Sequence, residues 1–277
     1  GDPACSLDDD FTIDINLTAT KMLTEICKAF KVQRFLFASS CSVYGASGKQ
    51  LSSETSALNP VSLYARTKIA SENVLLDAMD NSFSPIILRF ATLFGLSPRP
   101  RFDLFLNLVT AKAVKEGKFS VFGGDQWRPF VHVKDVSRGI IATLEAPLSK
   151  VHGEIFNLGS EESCVTIADG AQIVANCIPN TKVEFVDKID DPRDYRVSFN
   201  KIRSILGFRP SVKIAEGILE MKKAFESGAL QGYSESYFSN LKQTELILSS
   251  QSGENVSKLD VELSPTSKEL LRKIESP

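Results

Sequence analysis

The sequence predicts an α/β fold built on a parallel sheet. Its first 90 residues alternate helix, strand, helix, strand, and the two strand candidates, RFLFA at 34–38 and SPIILRF at 84–90, are apolar without polar alternation. Runs of that kind fit strands covered on both faces. The helical stretches between them are long enough to serve as the crossovers that parallel neighbours require.

Taken in order, a helix is expected over 13–30, where Leu17, Met22, Leu23, Ile26, Cys27 and Phe30 recur at helical spacing. The strand at 34–38 follows. The Ser-rich stretch that runs on to Pro60 reads as a polar loop. Within it GASGK, 45–49, reads as a plain turn: Val43 sits where a phosphate loop needs its first glycine and Gln50 where it needs Ser or Thr. Pro60 stands ahead of a second helix, 61–79, and the strand at 84–90 comes next. Helices are then expected over 104–116, 136–144, 167–177 and 214–225, and strand pieces at 119–122, 130–133, 154–158 and 182–186. No internal repeat is visible. From Gly228 the chain turns rich in Ser, Gln and Glu, which predicts a loosely attached tail with one or two short helices and no chemistry.

Composition narrows the function. With 277 residues, 43% hydrophobic and 24% charged, the chain can bury one large core or two small ones. A net charge of −2 argues against a nucleic-acid backbone or an anionic membrane as the main partner. No apolar run approaches the ~18 residues that span a bilayer, and GDPACSLDDDF is too polar and acidic for a signal peptide. The five cysteines form no C-x-x-C pair, so reduced thiols and a cytoplasmic location are expected. His132 and His152 are the only histidines, so no metal site or His-based triad is expected, and His132 in VHV reads as a packed core residue.

The residues that carry chemistry are Tyr64 and Lys68, in YARTK inside the second helix. At i and i+4 they share one helix face. Free tyrosine, with a pKa of about 10, is a poor base at neutral pH. A nearby ammonium favours the phenolate, and a lowering of about three units needs roughly 4 kcal/mol of differential stabilisation. Such a pair suits removal of a hydroxyl proton during hydride transfer. The spacing also occurs on solvated helices, so its weight comes from context. The strand at 34–38 runs into Ser39, Ser40, Cys41, Ser42, Val43, Tyr44 and Gly45, and ligands bind at the carboxyl ends of strands in open α/β sheets.

FLFASSCSVYG followed by NPVSLYARTKIASE resembles the S-S-x-x-V-Y-G and P-x-x-x-Y-x-x-x-K-x-x-x-E pattern of the extended short-chain dehydrogenases, the NAD-dependent epimerase/dehydratase family. IILRFATLFG, VFGGDQWRPFVHVKDV, FNLGSEESCVTIADGAQIV and KIRSILGFRP resemble later landmarks in the right order, so the resemblance covers about 13–225. It implies a Rossmann-type doubly wound parallel sheet with a smaller α/β substrate lobe. Residues 1–92 and 130–157 would belong to the dinucleotide-binding part, 93–129 and 158–227 to the substrate lobe, and 228–277 to the polar tail. It further implies NAD (or NADP) as cofactor and a nucleotide-diphosphate sugar as substrate. Tyr64 takes the position of the catalytic base, Lys68 of its partner on the nicotinamide ribose, and Ser40 of the hydroxyl that bonds the reacting sugar oxygen. Asn16, Ser39 and Phe90 fall at cofactor positions, and Thr92, Arg101, Arg128 and Arg193 at substrate positions. The implied activity is epimerisation through transient oxidation of a sugar hydroxyl, with a reductase or dehydratase of the same family, or a non-catalytic binding protein on the same fold, as rivals. A homodimer through the helices at 13–30 and 61–79 is also implied.

Three departures from the pattern matter. Thr92 stands where many relatives have asparagine. Cys41 and Ser42 occupy the positions of the Asp-Glu pair of 4,6-dehydratases, which favours epimerase or reductase chemistry. In place of R-P-x-D the chain reads Asp191, Pro192, Arg193, Asp194, Tyr195, Arg196, leaving Arg193 or Arg196 for the diphosphate. The family also opens with a strand, G-x-x-G-x-x-G and a helix, which this sequence lacks. The sheet is therefore expected to lack its N-terminal βαβ units and to expose apolar faces, and the chain by itself to bind NAD poorly and be inactive.

Overall fold

The computed structural model describes residues 1–187 and 191–251. A short helix α1 (Asp2–Cys5) precedes α2 (Asp9–Ile13), which passes through a π-helical turn, Asp14–Thr18, into α3 (Ala19–Ala29). Asp8 starts this run by accepting a hydrogen bond from the Phe11 N–H, and Asp9 and Asp10 fill its acidic first turn. The first predicted helix is thus real but begins earlier, and a π turn at Asn16 re-aims one side chain within it.

Strand β1 (Arg34–Ser40) leads through one 3-10 turn, Cys41–Tyr44, into β2 (Ala46–Ser52). Helix α4 (Leu63–Asp77) is capped by Ser62, whose hydroxyl accepts from the Ala65 N–H, and β3 (Ser84–Phe90) follows. The remaining elements are β4 (Thr92–Phe94), α5 (Phe105–Glu116), β5 (Lys118–Phe122), β6 (Trp127–His132), α6 (Val133–Glu145), β7 (Ile155–Leu158), β8 (Cys164–Thr166), α7 (Ile167–Cys177), β9 (Lys182–Val186), β10 (Asp194–Val197), α8 (Asn200–Leu206), α9 (Ile214–Glu226) and α10 (Asn240–Gln251).

β1, β3 and β7 form a parallel sheet in that order, and the register sets Ser39 opposite Arg89 and Ser40 opposite Phe90. β3 is central and almost wholly buried, as its uninterrupted apolar run requires. β1, expected to be covered on both faces, is only partly so. Among the described residues it is an edge strand, and Ala38 is exposed. β4 pairs parallel with β6, which pairs antiparallel with β8, while β5 pairs with β9 and β2 with β10, both parallel. One core lies around β3 and β7 (Ile86, Leu88, Phe156, Leu158) and a second around α5, α7 and β6 (Leu106, Phe130, Val174).

Two expectations are overturned. The GASGK segment is not a plain turn: Gly45 turns the chain at φ +57°, and Ala46–Ser52 then runs as β2 beside β10. Its partner lies about 150 residues away and its composition is polar, so no local pattern marks it. A Cβ at Gly45 would lie 1.7 Å from the Asn59 carbonyl oxygen, which explains why glycine closes VYG. Nor is 229–251 a loose tail. Leu230 is buried with Phe102 and Phe225, Tyr233 and Phe238 meet Phe102 edge-on, and the Phe102 N–H donates to the Phe238 carbonyl at 2.9 Å. A few aromatics anchor a segment whose average composition is polar. The rest of the expected tail, 252–277, lies outside the described residues. No described helix is long and apolar enough to cross a membrane.

Candidate active site

A cavity of about 920 Å³ opens at the carboxyl ends of β1 and β3. The strand ends deliver Ala38, Ser39 and Ser40 from β1 and Phe90 from β3, α4 brings Tyr64 and Lys68, and the π turn brings Asn16. Thr92, Arg101, Arg128 and Arg193 line the same space. Every residue expected at the site is therefore in one place, except that the Ser39 hydroxyl is turned out of it.

Ser40 caps the turn that follows β1, its Oγ accepting from the Ser42 N–H at 3.1 Å, and its hydroxyl is hydrogen-bonded to the Tyr64 phenol. Lys68 Nζ donates to the Ala38 carbonyl at 2.9 Å and sits 4.7 Å from the Phe37 ring centroid. Burial lowers the Lys68 pKa, against the charge of Glu72. Among the described residues that carbonyl is its one hydrogen-bond acceptor, so two further N–H donors remain for a diol or a phosphate. The Asn16 amide donates to Thr67 Oγ1 at 3.2 Å, which ties the π turn to the helix bearing Tyr64.

The Tyr64 phenol is not acidified in this arrangement. Burial, then the charge of Asp2, push it up to about 12, while the Ser40 hydrogen bond and Arg101 pull the other way. Desolvation outweighs the effect expected of Lys68. Tyr195 is likewise held at about 12 by burial, and Tyr44 is pushed higher still. Unfolded tyrosines ionise near ~10, so above that pH the unfolded chain releases protons that the folded one retains. Stability should therefore be intact below pH ~10 and fall steadily toward pH ~12. Melting temperature followed beside tyrosinate absorbance tests this: the share of the absorbance change due to Tyr44, Tyr64 and Tyr195 should appear with unfolding, not before it.

Beneath the cavity lies a buried network. Glu72, 2% exposed, receives Arg89 Nε at 3.0 Å, Arg89 Nη2 at 2.6 Å and the Ser39 hydroxyl at 2.5 Å. Arg89 Nη1 reaches the Tyr44 hydroxyl at 3.0 Å, and that hydroxyl donates to Asn157 Oδ1 at 2.8 Å. α4, β1, β3 and β7 are thus bolted together one turn below Lys68. Glu72 ends the Y-x-x-x-K-x-x-x-E motif, so it faces the same side of α4 as Tyr64 and Lys68.

At the other side of the cavity Arg128 is 5% exposed and pairs with Asp191 at 3.0 Å. Its Nη1 also donates to the Arg193 carbonyl, and its guanidinium lies 5.5 Å from the Tyr195 ring centroid. Arg193 binds Asp191 with Nε at 2.8 Å and Nη2 at 2.5 Å, and Asp2 with Nη1 at 2.5 Å. Burial opposes ionisation of Asp191, but Arg193 and Arg128 hold it well below the usual carboxylate range. Of the two arginines weighed for the diphosphate, Arg193 faces the cavity. Arg196 instead stacks 4.5 Å from the Trp127 ring centroid, which also accounts for Trp127. His132, expected as a core residue, is buried; it caps α6 and meets Glu220 at 3.1 Å.

Sequence reasoning missed Ser42 as a lining residue. It is buried, and among the described residues its hydroxyl has no hydrogen-bond partner. It also missed Asp2, Arg99, Asp191 and Asn240 at the wall. Ser42 and Asp191 were visible as departures from a pattern, whereas Arg99 and Asn240 carried no signal. The donor set fits a nicotinamide riboside: a free-handed ammonium, a phenol and a serine hydroxyl beside an aromatic ring at the strand ends.

Residues 1–159 match the model of the NAD dependent epimerase/dehydratase family. Over 221 residues the chain is 32% identical to a Bacillus subtilis (strain 168) protein named an uncharacterized UDP-glucose epimerase, YtcB, covering 78% of this chain and 68% of that one. It is 30% identical over 217 residues to a UDP-glucuronate 4-epimerase of Thermodesulfobacterium geofontis, covering 74% and 63%. The chain thus spans about two thirds of the length of these relatives. Its fold resembles the crystal structure of UDP-glucuronic acid 4-epimerase from Bacillus cereus in complex with UDP-glucuronic acid and NAD, with a TM-score of 0.72, 26% identity and coverage of 82% and 72%.

Proposed function

Because the chain belongs to the NAD-dependent epimerase/dehydratase family, we propose that it carries the reacting centre of a nucleotide-sugar 4-epimerase that takes a UDP-sugar. The observation that carries this reading is that Ser40, Tyr64 and Lys68 line one cavity together with two arginines, Arg128, which is buried, and Arg193, which is partly exposed. Hydroxyl and phenol groups together with guanidiniums in one cavity suit a sugar joined to a diphosphate.

In this reading NAD would supply a reversible hydride acceptor for the sugar carbon. Lys68, with its two remaining N–H groups, would hold the ribose, and Phe90 and Asn16 would line the nicotinamide site. Tyr64 accepts the sugar hydroxyl proton through Oη and gives it back in the second half of the cycle. Ser40 hydrogen-bonds the same sugar oxygen and keeps it beside the phenol. Thr92 faces the sugar. Arg101 adds positive charge to the wall, and the Ser39 hydroxyl serves through Glu72. The positions of the dehydratase acid and base hold a thiol pushed up by burial, Cys41, and the Ser42 hydroxyl. Neither ionises near neutrality, which favours epimerisation over water elimination.

Asp191 occupies both guanidiniums, so a diphosphate must compete with it. Calorimetric titration with UDP tests this. An Asp191→Asn chain should bind UDP roughly five- to ten-fold more tightly, and an Arg128→Ala chain at least about ten-fold more weakly. UDP affinity indifferent to Arg128→Ala contradicts the reading. The assembly we favour is a homodimer in the cytoplasm. Ile15, Leu23, Ile26 and Phe30 line one face of the α2–α3 run, with Phe30 80% exposed, and the five cysteines are free thiols. A contiguous apolar stripe of this kind marks a partner surface. Sedimentation should report a dimer, and Phe30→Glu a monomer.

A further inference from the structure

We propose that residues 229–251 act as a strap that closes one wall of the cavity, with Asn240 as the positioning residue that aims Arg99 at the anionic part of the nucleotide sugar. The inference rests on the nucleotide-sugar reading and adds to it an element outside the stretch that matches the family model, residues 1–159.

The strap is held from beneath by the ring contacts to Phe102 and by Leu230, and its end turns into α10, which packs against α1. Where it meets the cavity, at Asn240, Arg99 Nη1 donates to Asn240 Oδ1 at 2.9 Å and Nε to the Tyr237 carbonyl at 2.6 Å, with the guanidinium 5.4 Å from the Tyr237 ring centroid. The Asn240 N–H donates to Asp103 Oδ2 at 2.9 Å, and Asp103 in turn grips Arg101 through two hydrogen bonds of 2.9 Å. Arg99, Arg101, Asp103 and Asn240 all line the cavity. The Asn240 side chain therefore fixes Arg99, while its backbone N–H, present whatever residue stands there, supports Asp103 and through it Arg101.

Such an arrangement has a chemical use. Arginine side chains lose much rotamer freedom on binding, and a guanidinium already held in place loses less. The neutral amide of Asn240 orients Arg99 without cancelling its charge, unlike Asp191 against Arg193. Arg99 thus stays available as a cation beside the two arginines assigned to the diphosphate.

The test is calorimetric titration of the intact chain with UDP at two salt concentrations, with the melting temperature measured alongside. Asn240→Ala should bind UDP roughly five- to ten-fold more weakly, as for residues coupled in one network. Its affinity should depend less on salt than the wild type's, and its melting temperature should be unchanged. Arg99→Ala should weaken binding as much, and adding Asn240→Ala to it should weaken binding little further. Wild-type affinity in Asn240→Ala, in a protein whose UDP binding does respond to Arg128→Ala, overturns the strap proposal while leaving the functional reading intact. So does weakened binding with an unaltered salt dependence, which marks a merely structural role. A wild-type chain that binds no UDP overturns both.

Discussion

In a protein that joins this chain to an N-terminal dinucleotide-binding segment, Tyr64→Phe is expected to leave UDP binding as in the wild type and to lose about 10²- to 10⁴-fold in turnover of a UDP-sugar in the presence of NAD, the span typical of a positioned acid or base. The phenol ring is partly buried at the cavity wall and phenylalanine keeps its contacts, so folding should survive. The pH profile adds a second readout. The phenol lies near 12 because it is buried, and the base form accumulates as pH rises. Turnover should therefore climb with pH and level off at the pKa of the loaded complex. That pKa should lie below 12, because a cationic nicotinamide and the Lys68 ammonium both favour the phenolate. Lys68→Met should move the profile to higher pH. Unimpaired turnover in Tyr64→Phe, or a profile unmoved by Lys68→Met, contradicts the assignment of these two side chains.

The largest effect on stability is expected at Glu72. Replacing it by alanine strands the Arg89 guanidinium, 3% exposed, with no counter-charge. Loss of one partner of a buried pair typically costs about 3–5 kcal/mol. Urea denaturation should show this loss for Glu72→Ala, whereas a Glu72→Gln/Arg89→Met double variant, which removes both charges, should lose less than the alanine variant. Loss within experimental error for Glu72→Ala would mean that the pair is not bolting α4 to β1 and β3. The same network reaches the chemistry. Ser39 and Ser40 are adjacent in β1, and Glu72 fixes the first while lying two turns along α4 from Tyr64. A partly stabilised variant should thus also lose turnover.

Much of this was legible in the sequence, for identifiable reasons. β3 is mostly apolar because it is central, with Arg89 as its one charge, and its span, 84–90, coincides with the predicted one. The helix at 167–177 was equally plain, since its periodicity reports a buried face, and the strand at 182–186 was plain from its alternation although it is mostly exposed. The site residues could be read because a helix spacing and a strand end are local features. What stayed hidden depends on distant partners. β2 is polar and acquires its conformation from β10. The strap has a disordered-looking composition and is fixed by three aromatic side chains meeting Phe102 and Arg99. The basicity of Tyr64 could not be judged either: the i, i+4 lysine is visible in sequence, whereas the burial that overrides it is a property of the assembled cavity.

The most direct test of the central claim is a crystal structure of the chain with a UDP-sugar bound. The account predicts the diphosphate on Arg128 and Arg193 with Asp191 displaced, and the sugar C4 hydroxyl within hydrogen-bond distance of both Tyr64 Oη and Ser40 Oγ. A nucleotide sugar bound elsewhere, or with its sugar directed away from Tyr64, would contradict it.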